Sequence, residues 1–373
     1  MTEYKIPLHN PTVTNAAVNV AVDVLKARQL SEGYQVRRFE TAFRQYTGGM
    51  QARMTSSCTA AIHLALLMAG VRSGDMVMTP AYTYVGGVAP ILYCGAVPVW
   101  VDSQKQSPNI GVEQIDRAYR GHCDHQTRPK VLIVTHIAGN PADLVGISRW
   151  CQQNHVTLLQ DCAHAVEADV RGVKLAAWGD YACYSFHTTK TITCGDGGML
   201  VFGGIADYQK ANRLMHHGRT GGWDYNVPML GHKYHSNDLA AAIAHENLKT
   251  ADERRCRRGE IAGWYMERLG GCTVPETPAG STHAWHLFQV FLDGVDDSRL
   301  VVETMRKRGI EAAWHYRPVN LMQYYHRACD SLSTPWAWYL AKREISLPIW
   351  AGMTEQQVDT ICTNLLEVVT DVS

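Results

Sequence analysis

The stretch YACYSFHTTKTITCGDGGML, running from Tyr181 to Leu200, decides how this chain is read. Tyr181, Cys183, Tyr184 and Phe186 make a half-alternating apolar run that predicts a strand. Small polar residues follow, then one lysine, Lys190, and the cluster Gly195, Asp196, Gly197 and Gly198. A lysine just past a buried strand, among residues that let backbone come close to a ligand, sits where a Schiff-base lysine is expected. Partial desolvation lowers its pKa, and the free amine attacks a carbonyl. Taken alone, a lysine is more often a solvated surface residue.

Upstream, the β-branched and leucine run Val156-Thr157-Leu158-Leu159 ends in Gln160-Asp161-Cys162-Ala163-His164-Ala165. An acidic residue at the C-terminal end of a buried strand lies where open α/β sheets bind ligands. Asp161 then reads either as a helix N-cap or as the partner that keeps a pyridinium nitrogen protonated. The second reading, joined to the lysine, points to pyridoxal phosphate (PLP). A third segment, Met54 to Leu67, is a small-residue turn running into a strongly helical stretch. Its helix N-terminus, with Ser57, Cys58, Thr59 and Ala60, offers unpaired N–H groups to a phosphate without any basic residue. An ordinary capped helix has the same pattern.

In this order the three segments resemble the DegT/DnrJ/EryC1/StrS group of PLP-dependent sugar aminotransferases, of the aspartate-aminotransferase-like fold type I. The resemblance covers nearly the whole chain. It takes in Ile6-Pro7-Leu8, Leu30-Ser31-Glu32-Gly33, Phe39-Glu40, SSCTAAIHLAL from Ser56, SGDMVMTPAYTYV from Ser73 and CGAVPVWVD from Cys94. It continues through Gly139 to Asp143, DCAHA, WGDYACYSFHTTK and GDGGM, and resumes at Tyr234 to Ile243, Trp285-His286, Arg308-Gly309-Ile310, His315 to Pro318 and Ser346 to Ile349.

By that resemblance, Lys190 holds the cofactor and shuttles the proton, and Asp161 faces the pyridinium nitrogen. Tyr84 stacks on the cofactor ring and His164 lies near its 3-hydroxyl. Ser185 binds the phosphate from one side, and the amides of Cys58 and Thr59 bind it from the other. His315, Tyr316 and Arg317 fall where the family places substrate contacts, with Arg317 suited to a carboxylate or pyrophosphate. The implied reaction moves an amino group, from L-glutamate, to a nucleotide-linked keto-deoxysugar for surface polysaccharide or glycosylated natural products. A homodimer sharing its active sites across the interface is implied too.

Three positions depart from the family pattern. Cys58 stands where the phosphate turn carries glycine, which narrows the backbone angles and brings a thiol near the cofactor. The family's Gly-x-Asn-Tyr-Arg is Gly231-His232-Lys233-Tyr234-His235, so Lys233 takes over the contact to the neighbouring subunit's phosphate, and His235 brings a pH-sensitive charge. Gly-Glu-Gly-Gly has become Gly195-Asp196-Gly197-Gly198.

Composition agrees with a cytoplasmic enzyme. The chain has 373 residues, 46% of them hydrophobic, enough for a large core and more than one domain. Its 35 basic and 35 acidic residues cancel, which argues against a nucleic-acid partner. The start Met1-Thr2-Glu3-Tyr4-Lys5 lacks a signal-sequence pattern, and no apolar run reaches membrane-spanning length. Eleven scattered cysteines without a CxxC pair read as reduced core thiols. His216-His217 invites a metal reading, but no further ligand falls at a helical spacing, so no metal site is expected.

Strand-like runs at Met76–Met78, Val97–Val101, Val131–Val134, Val156–Leu159, Ala182–Phe186 and Met199–Phe202 alternate with helical stretches. This predicts an α/β fold with a mostly parallel sheet sandwiched by helices in a large domain, 1–245. A smaller α+β C-terminal domain, 246–373, follows. One long helix is expected over Asn237–Arg258, strands over Ala284–Leu292 and Glu311–Tyr316, a helix over Ser298–Arg308, and a final helix over Thr354–Val369 capped by Thr354 with Gln357. Rival readings are a sugar dehydratase of the same family, in which histidine replaces the lysine, a cyclitol aminotransferase, and a non-catalytic regulator on this fold. A nicotinamide enzyme is disfavoured because G-x-G-x-x-G after a first strand is absent.

Overall fold

The computed structural model describes residues 4–122, 128–221, 223, 225–328 and 334–372, so the expectation of reduced thiols at Cys123 and Cys329 lies outside the described residues. Short apolar and β-branched runs form strands β1 (Gln51–Thr55), β2 (Met76–Pro80), β3 (Val97–Val101), β4 (Val131–Thr135) and β5 (Thr157–Asp161). Two brief strands follow, β6 (Asp169–Val170) and β7 (Val173–Lys174), and then β8 (Tyr181–Ser185) and β9 (Gly198–Phe202). The later strands are β10 (Ser281–Thr282), β11 (Phe288–Phe291) and β12 (Glu344–Leu347).

The central sheet has seven strands in the order β1-β9-β8-β5-β4-β2-β3. From β8 to β3 all pairs are parallel, while β9 runs antiparallel to both β8 and β1. β4, β8 and β9 are buried along their whole length, as expected of strands covered on both faces. The six expected strands are all present. β1 was not expected because Arg53 interrupts its apolar run. Burial of that arginine is offset by Glu32, 2.6 Å from Nη2, Glu40, 3.5 Å from Nη1, and the Tyr208 hydroxyl at 3.0 Å.

The helix Cys58–Met68 lies against β8 and β9 and is buried on nearly every side, with Ile62, Leu64 and Leu66 at its centre. Its N-terminus presses on β9 at Gly198. A Cβ there would stand 2.4 Å from Ser57 C and 2.5 Å from Cys58 N, both backbone atoms that cannot step aside. Gly198→Ala is therefore expected to cost about 1–3 kcal/mol. Thermal melting of the variant checks this, and an unchanged midpoint would show that the turn tolerates the shift.

A second packed core gathers Tyr265, Phe288, Val301, Ile345, Ile361 and Leu365, and Ile6 from the N-terminal segment joins it. Here the long helix expected over Asn237–Arg258 is instead two, Asp238–Leu248 and Ala251–Arg268. The break has a physical cause. Arg254 Nη2 reaches back to the freed carbonyl of Asn247 at 2.7 Å and also meets Thr191 O at 3.3 Å. Asn247 in turn donates to Thr193 O at 2.8 Å. The helix opens in order to grip the loop that carries Lys190.

Arg258, on the same helix, forms a buried ion pair with Glu167 at 3.0 Å and donates twice to Ala284 O. Glu167 also accepts from the Thr191 hydroxyl at 2.9 Å. The strand expected over Ala284–Leu292 shrinks to Phe288–Phe291 because Trp285 adopts φ 53° and the preceding residues bond to the Ala138–Gly139 turn. The strand expected over Glu311–Tyr316 is reduced to a single bridge, Ala313 to Ser346. The other two expected helices form at Ser298–Lys307 and Glu355–Val372. At the last of these the capping box closes both ways, Gln357 N to Thr354 Oγ1 at 3.3 Å and Thr354 N to Gln357 Oε1 at 2.9 Å.

Candidate active site

The C-terminal ends of β5 and β8, the start of the helix Cys58–Met68 and the segment 313–316 converge on a cavity of about 480 Å³. Cys58, Thr59, Tyr84, Asp161, His164, Ser185, Lys190, His315 and Tyr316 all line it. Of the site residues expected from sequence, Lys233 and Arg317 do not. Both are exposed.

Lys190 follows β8 in the loop gripped by Arg254 and Glu167. Its Nζ lies 3.4 Å from His286 Nε2. Burial lowers its pKa from 10.5 to about 8, against the opposing pull of the Asp161 carboxylate. That makes the free amine accessible near neutral pH.

Asp161 ends β5 and is almost fully buried. Burial raises its pKa, while the Ala163 N–H, 3.0 Å from Oδ1, and the Lys190 charge lower it. The N-cap alternative therefore contains part of the truth, since one oxygen does take a following amide. Among the described residues no protein group donates to Oδ2. The wall opposite Oδ2 is glycine, and a Cβ on Gly87 would stand 2.9 Å from it.

The turn expected to take a phosphate is a capped helix start. Ser57 caps the helix by accepting from Ala60 N at 3.1 Å and its carbonyl accepts from Ala61 N, which leaves the Cys58 and Thr59 amides at the positive end of the helix dipole. Behind them Ser56 N donates to Tyr234 O at 2.7 Å, so the segment 231–236 braces the turn. The departure at Cys58 is accommodated because that residue is helical and needs no glycine angle. Its thiol, 3.8 Å from Asp161 Oδ1, is pushed well above its usual pKa by burial and then by that carboxylate, which keeps it protonated and unreactive.

Tyr84 is exposed on the cavity wall rather than buried as a core strand residue, with its ring 5.9 Å from that of Tyr316. His164 accepts from Ala138 N at Nδ1 (3.3 Å), which places its proton on Nε2, facing the Tyr316 hydroxyl at 3.3 Å. Its ring centroid is 4.3 Å from that of His286, and His9 stacks on His286 at 5.3 Å. Burial, and after it the Lys190 charge, keeps His9, His164 and His286 neutral. His9, His286 and Arg306 line the cavity without having been singled out as site residues. The Trp285-His286 pair was visible in the sequence, whereas Arg306 sits in an amphipathic helix whose pattern gives no sign of the cavity. Its Nε is held by Ala312 O at 2.7 Å.

These residues fit pyridoxal phosphate. A buried carboxylate has a free oxygen, glycine leaves room beside it, a helix N-terminus and a serine hydroxyl await the phosphate, and a desolvated lysine lies within the same walls.

The model of the DegT/DnrJ/EryC1/StrS aminotransferase family matches residues 11–366. The chain belongs to this family. Its fold and its class are those of a PLP-dependent aminotransferase. The aminotransferase is 28% identical over 362 residues to GDP-perosamine synthase of Vibrio cholerae, covering 96% of this chain and 97% of that one. It is 29% identical over 383 residues to the spore coat polysaccharide biosynthesis protein SpsC of Bacillus subtilis, covering 98% and 97%. The solved aminotransferase TlmJ from Streptoalloteichus hindustanus superposes with a TM-score of 0.92 at 28% identity, covering 99% and 100%.

Away from the cavity, the structure corrects the reading of His216. Its companions come from distant segments rather than from helical spacing: Glu32, His216 and His235 place one ligand-type atom each within 4.8 Å of one another. Arg53 already lies on Glu32, and His216 Nε2 meets Glu32 Oε2 at 2.6 Å, so the cluster works as an ion-pair network. The Glu32 bond raises the pKa of His216, and the His216 and Arg53 contacts outweigh burial to lower that of Glu32. The sign follows from both. His216 contributes stability fully below its unfolded value of 6.5 and loses it as pH rises through its raised folded value. Glu32 contributes above 4.5 and loses its share as pH falls through its lowered value. Among Arg53, Glu40 and His235, which also face the pair, Glu40 is raised to about 7 by burial. His216→Ala is expected to cost about 1 kcal/mol at pH 5.5 and nothing once wild-type His216 is neutral. Melting curves across that range test this, and a loss independent of pH would refute the ion-pair account.

Proposed function

We propose that the protein transfers an amino group from L-glutamate to a nucleotide-linked keto-deoxysugar, in a pathway to a surface polysaccharide or a glycosylated natural product. The observation that carries this reading is the meeting of Lys190, Asp161 and the helix N-terminus at Cys58 in one cavity. Two relatives, a GDP-perosamine synthase and a spore coat polysaccharide biosynthesis protein, support the acceptor class.

Each residue has a task in that reaction. The Cys58 and Thr59 amides and the Ser185 hydroxyl would hold the phosphate, Tyr84 would flank the ring, and Asp161 Oδ2 would accept a hydrogen bond from the protonated ring nitrogen. When bound, pyridoxal phosphate supplies the electron sink. Lys190 Nζ would take the proton from the donor carbon that bears nitrogen, pass it on within the bound complex, and deliver a proton to the acceptor carbon in the second half-reaction. The neutral imidazoles around Nζ add no positive charge, which keeps the amine basic enough for the task and close to working pH.

The active form is a homodimer in the cytoplasm. Supporting the first, Trp223, Tyr225, Val227 and Leu230 are exposed close in sequence to Lys233, and the helix Asn15–Ala27 exposes Val18, Val22 and Leu25. Supporting the second, the nine cysteines among the described residues are all free, and no helix there is long and apolar enough to cross a membrane. Lys233 reaches the partner's phosphate. Lys233→Ala is expected to weaken PLP binding about tenfold, the worth of one charge-assisted hydrogen bond, without changing the mass measured by light scattering. Unchanged affinity would remove the assignment.

The test of the reaction is an absorbance spectrum before and after L-glutamate, followed by a panel of nucleotide-linked keto-deoxysugars. Conversion of the lysine-bound band to the amine form of the cofactor, reversed by one keto sugar, is the expected result. A spectrum indifferent to L-glutamate would refute the donor, and failure of every keto sugar to reverse the change would refute the acceptor.

A further inference from the structure

Glu344 and Ser346 lie two residues apart on β12, so their side chains share one face of the strand, and both are fully inaccessible to solvent. The facing segment carries His315, a cavity residue. His315 Nδ1 is 2.9 Å from Ser346 Oγ, and Ser346 Oγ donates to Glu344 Oε1 at 2.5 Å. Glu344 Oε2 accepts the His315 backbone N–H at 2.7 Å, and Gln289 Nε2 bridges Oε1 and the His315 carbonyl at 3.1 and 3.0 Å. Tyr82 donates its hydroxyl proton to that same carbonyl. His315 is thus held at its amide, its carbonyl and Nδ1, which leaves Nε2 for the cavity.

A serine hydroxyl has one proton, and this fixes the rest of the chain. With Glu344 ionised, Ser346 donates to it, His315 Nδ1–H donates to Ser346, and Nε2 presents a lone pair. We propose that His315, Ser346 and Glu344 form a proton relay that takes the surplus proton of the incoming amino donor out of the cavity. The transfer balances. Nε2 accepts one proton from the donor's ammonium group, Nδ1 passes its own to Ser346 Oγ, and Ser346 passes its original proton to Glu344. The products are a neutral amine, a neutral histidine with its proton on Nε2, and a neutral carboxylic acid.

The surroundings explain why the proton is stored on the carboxylate. Burial, with the charges of Lys190 and Arg306, lowers His315 to about 3, so the imidazolium is a poor resting place. Burial raises Glu344 to about 8 in spite of its three donors. Tyr82 and Tyr316 face the same carboxylate and stay protonated. The relay lends His315 the basicity of a buried glutamate while both partners remain uncharged once loaded.

This inference rests on the aminotransferase reading above, and it gives Glu344 and Ser346 the part of positioning residues. The experiment is the single-turnover reaction of the holoenzyme with L-glutamate across pH 6–9, for wild type, Glu344→Gln and Ser346→Ala. Both variants are expected to slow the step at pH 8, where wild-type Glu344 becomes ionised, by about 10²-fold, the scale of a lost general base. Their pH midpoint is expected to move up towards that of the free donor amine, with KM for the keto acceptor unchanged. A purely structural role would lower cofactor affinity or melting temperature and leave the midpoint in place. Variants that bind PLP and keep the wild-type midpoint overturn the relay. For a variant that does not hold the cofactor, the infrared difference spectrum of the wild-type enzyme on adding ¹³C-labelled L-glutamate decides. A new protonated-carboxyl band from the protein is expected, and its absence overturns the relay as well. A wild-type enzyme that ignores L-glutamate would refute the donor reading instead.

Discussion

Lys190→Ala is expected to bind pyridoxal phosphate without fixing it covalently and to lose turnover by at least about 10⁴-fold. That is the range lost when a group acting both as nucleophile and as proton carrier is removed. Binding should survive because the Cys58 and Thr59 amides, Ser185 and Asp161 reach the cavity from other elements. Nothing nearby can take over the chemistry. His286, 3.4 Å from Nζ, is held neutral and well below its usual pKa by burial and the neighbouring charges, so it is too weak a base. The assay is borohydride reduction followed by mass spectrometry, with single-turnover kinetics beside it. Lys190→Arg keeps the charge but cannot form the bond, and it should behave like the alanine variant. A variant that retained turnover within tenfold of wild type would mean that the lysine serves only to bind.

Asp161→Asn is expected to slow both half-reactions by about 10²–10³-fold, the cost of deleting one preorganised electrostatic partner in a buried site. The amide keeps the shape of the side chain and can still accept from Ala163 N, so the fold should hold. What is lost is the negative charge. Burial by itself raises Asp161. A protonated ring nitrogen facing Asp161 would reverse that tendency and hold both groups charged. The asparagine cannot do this, and its bound cofactor should lose the ring proton, with a corresponding change in the absorbance of the complex. Wild-type rates together with an altered spectrum would show that ring protonation does not limit the reaction.

The site was more legible in the sequence than the framework that tightens it. Lys190, Asp161 and the Ser57–Thr59 turn each follow a local rule: a strand end, a helix start, a run of small residues. Those rules act over a few residues and survive folding. The break between Leu248 and Ala251 was not legible, because the helical periodicity runs straight through it. It exists only because Asn247 and Arg254 bond a loop 54 and 63 residues away. β1 was hidden in the same way by Arg53, whose burial depends on Glu32 and Glu40 from elsewhere. Arg306 and Glu344 show the limit from the other side, since in sequence each is one more charged residue in an amphipathic segment. Only the meeting of β12 with the segment 313–316 makes Glu344 a neighbour of the cavity.

The grip of the helix Ala251–Arg268 on Thr191, through Arg254 and through the Arg258–Glu167 pair, has a consequence for how the protein breathes. Amides around Lys190 cannot exchange with solvent by a private opening of their loop, because the Thr191 carbonyl is bonded to Arg254 and its hydroxyl to Glu167, the ion-pair partner of Arg258. They exchange when the helix lets go. Deuterium uptake at 187–194 and at 251–258 should therefore rise and fall as one unit under mild denaturant. Substitutions on the helix, well away from any substrate, would then surface in a screen for activity as though they were active-site lesions.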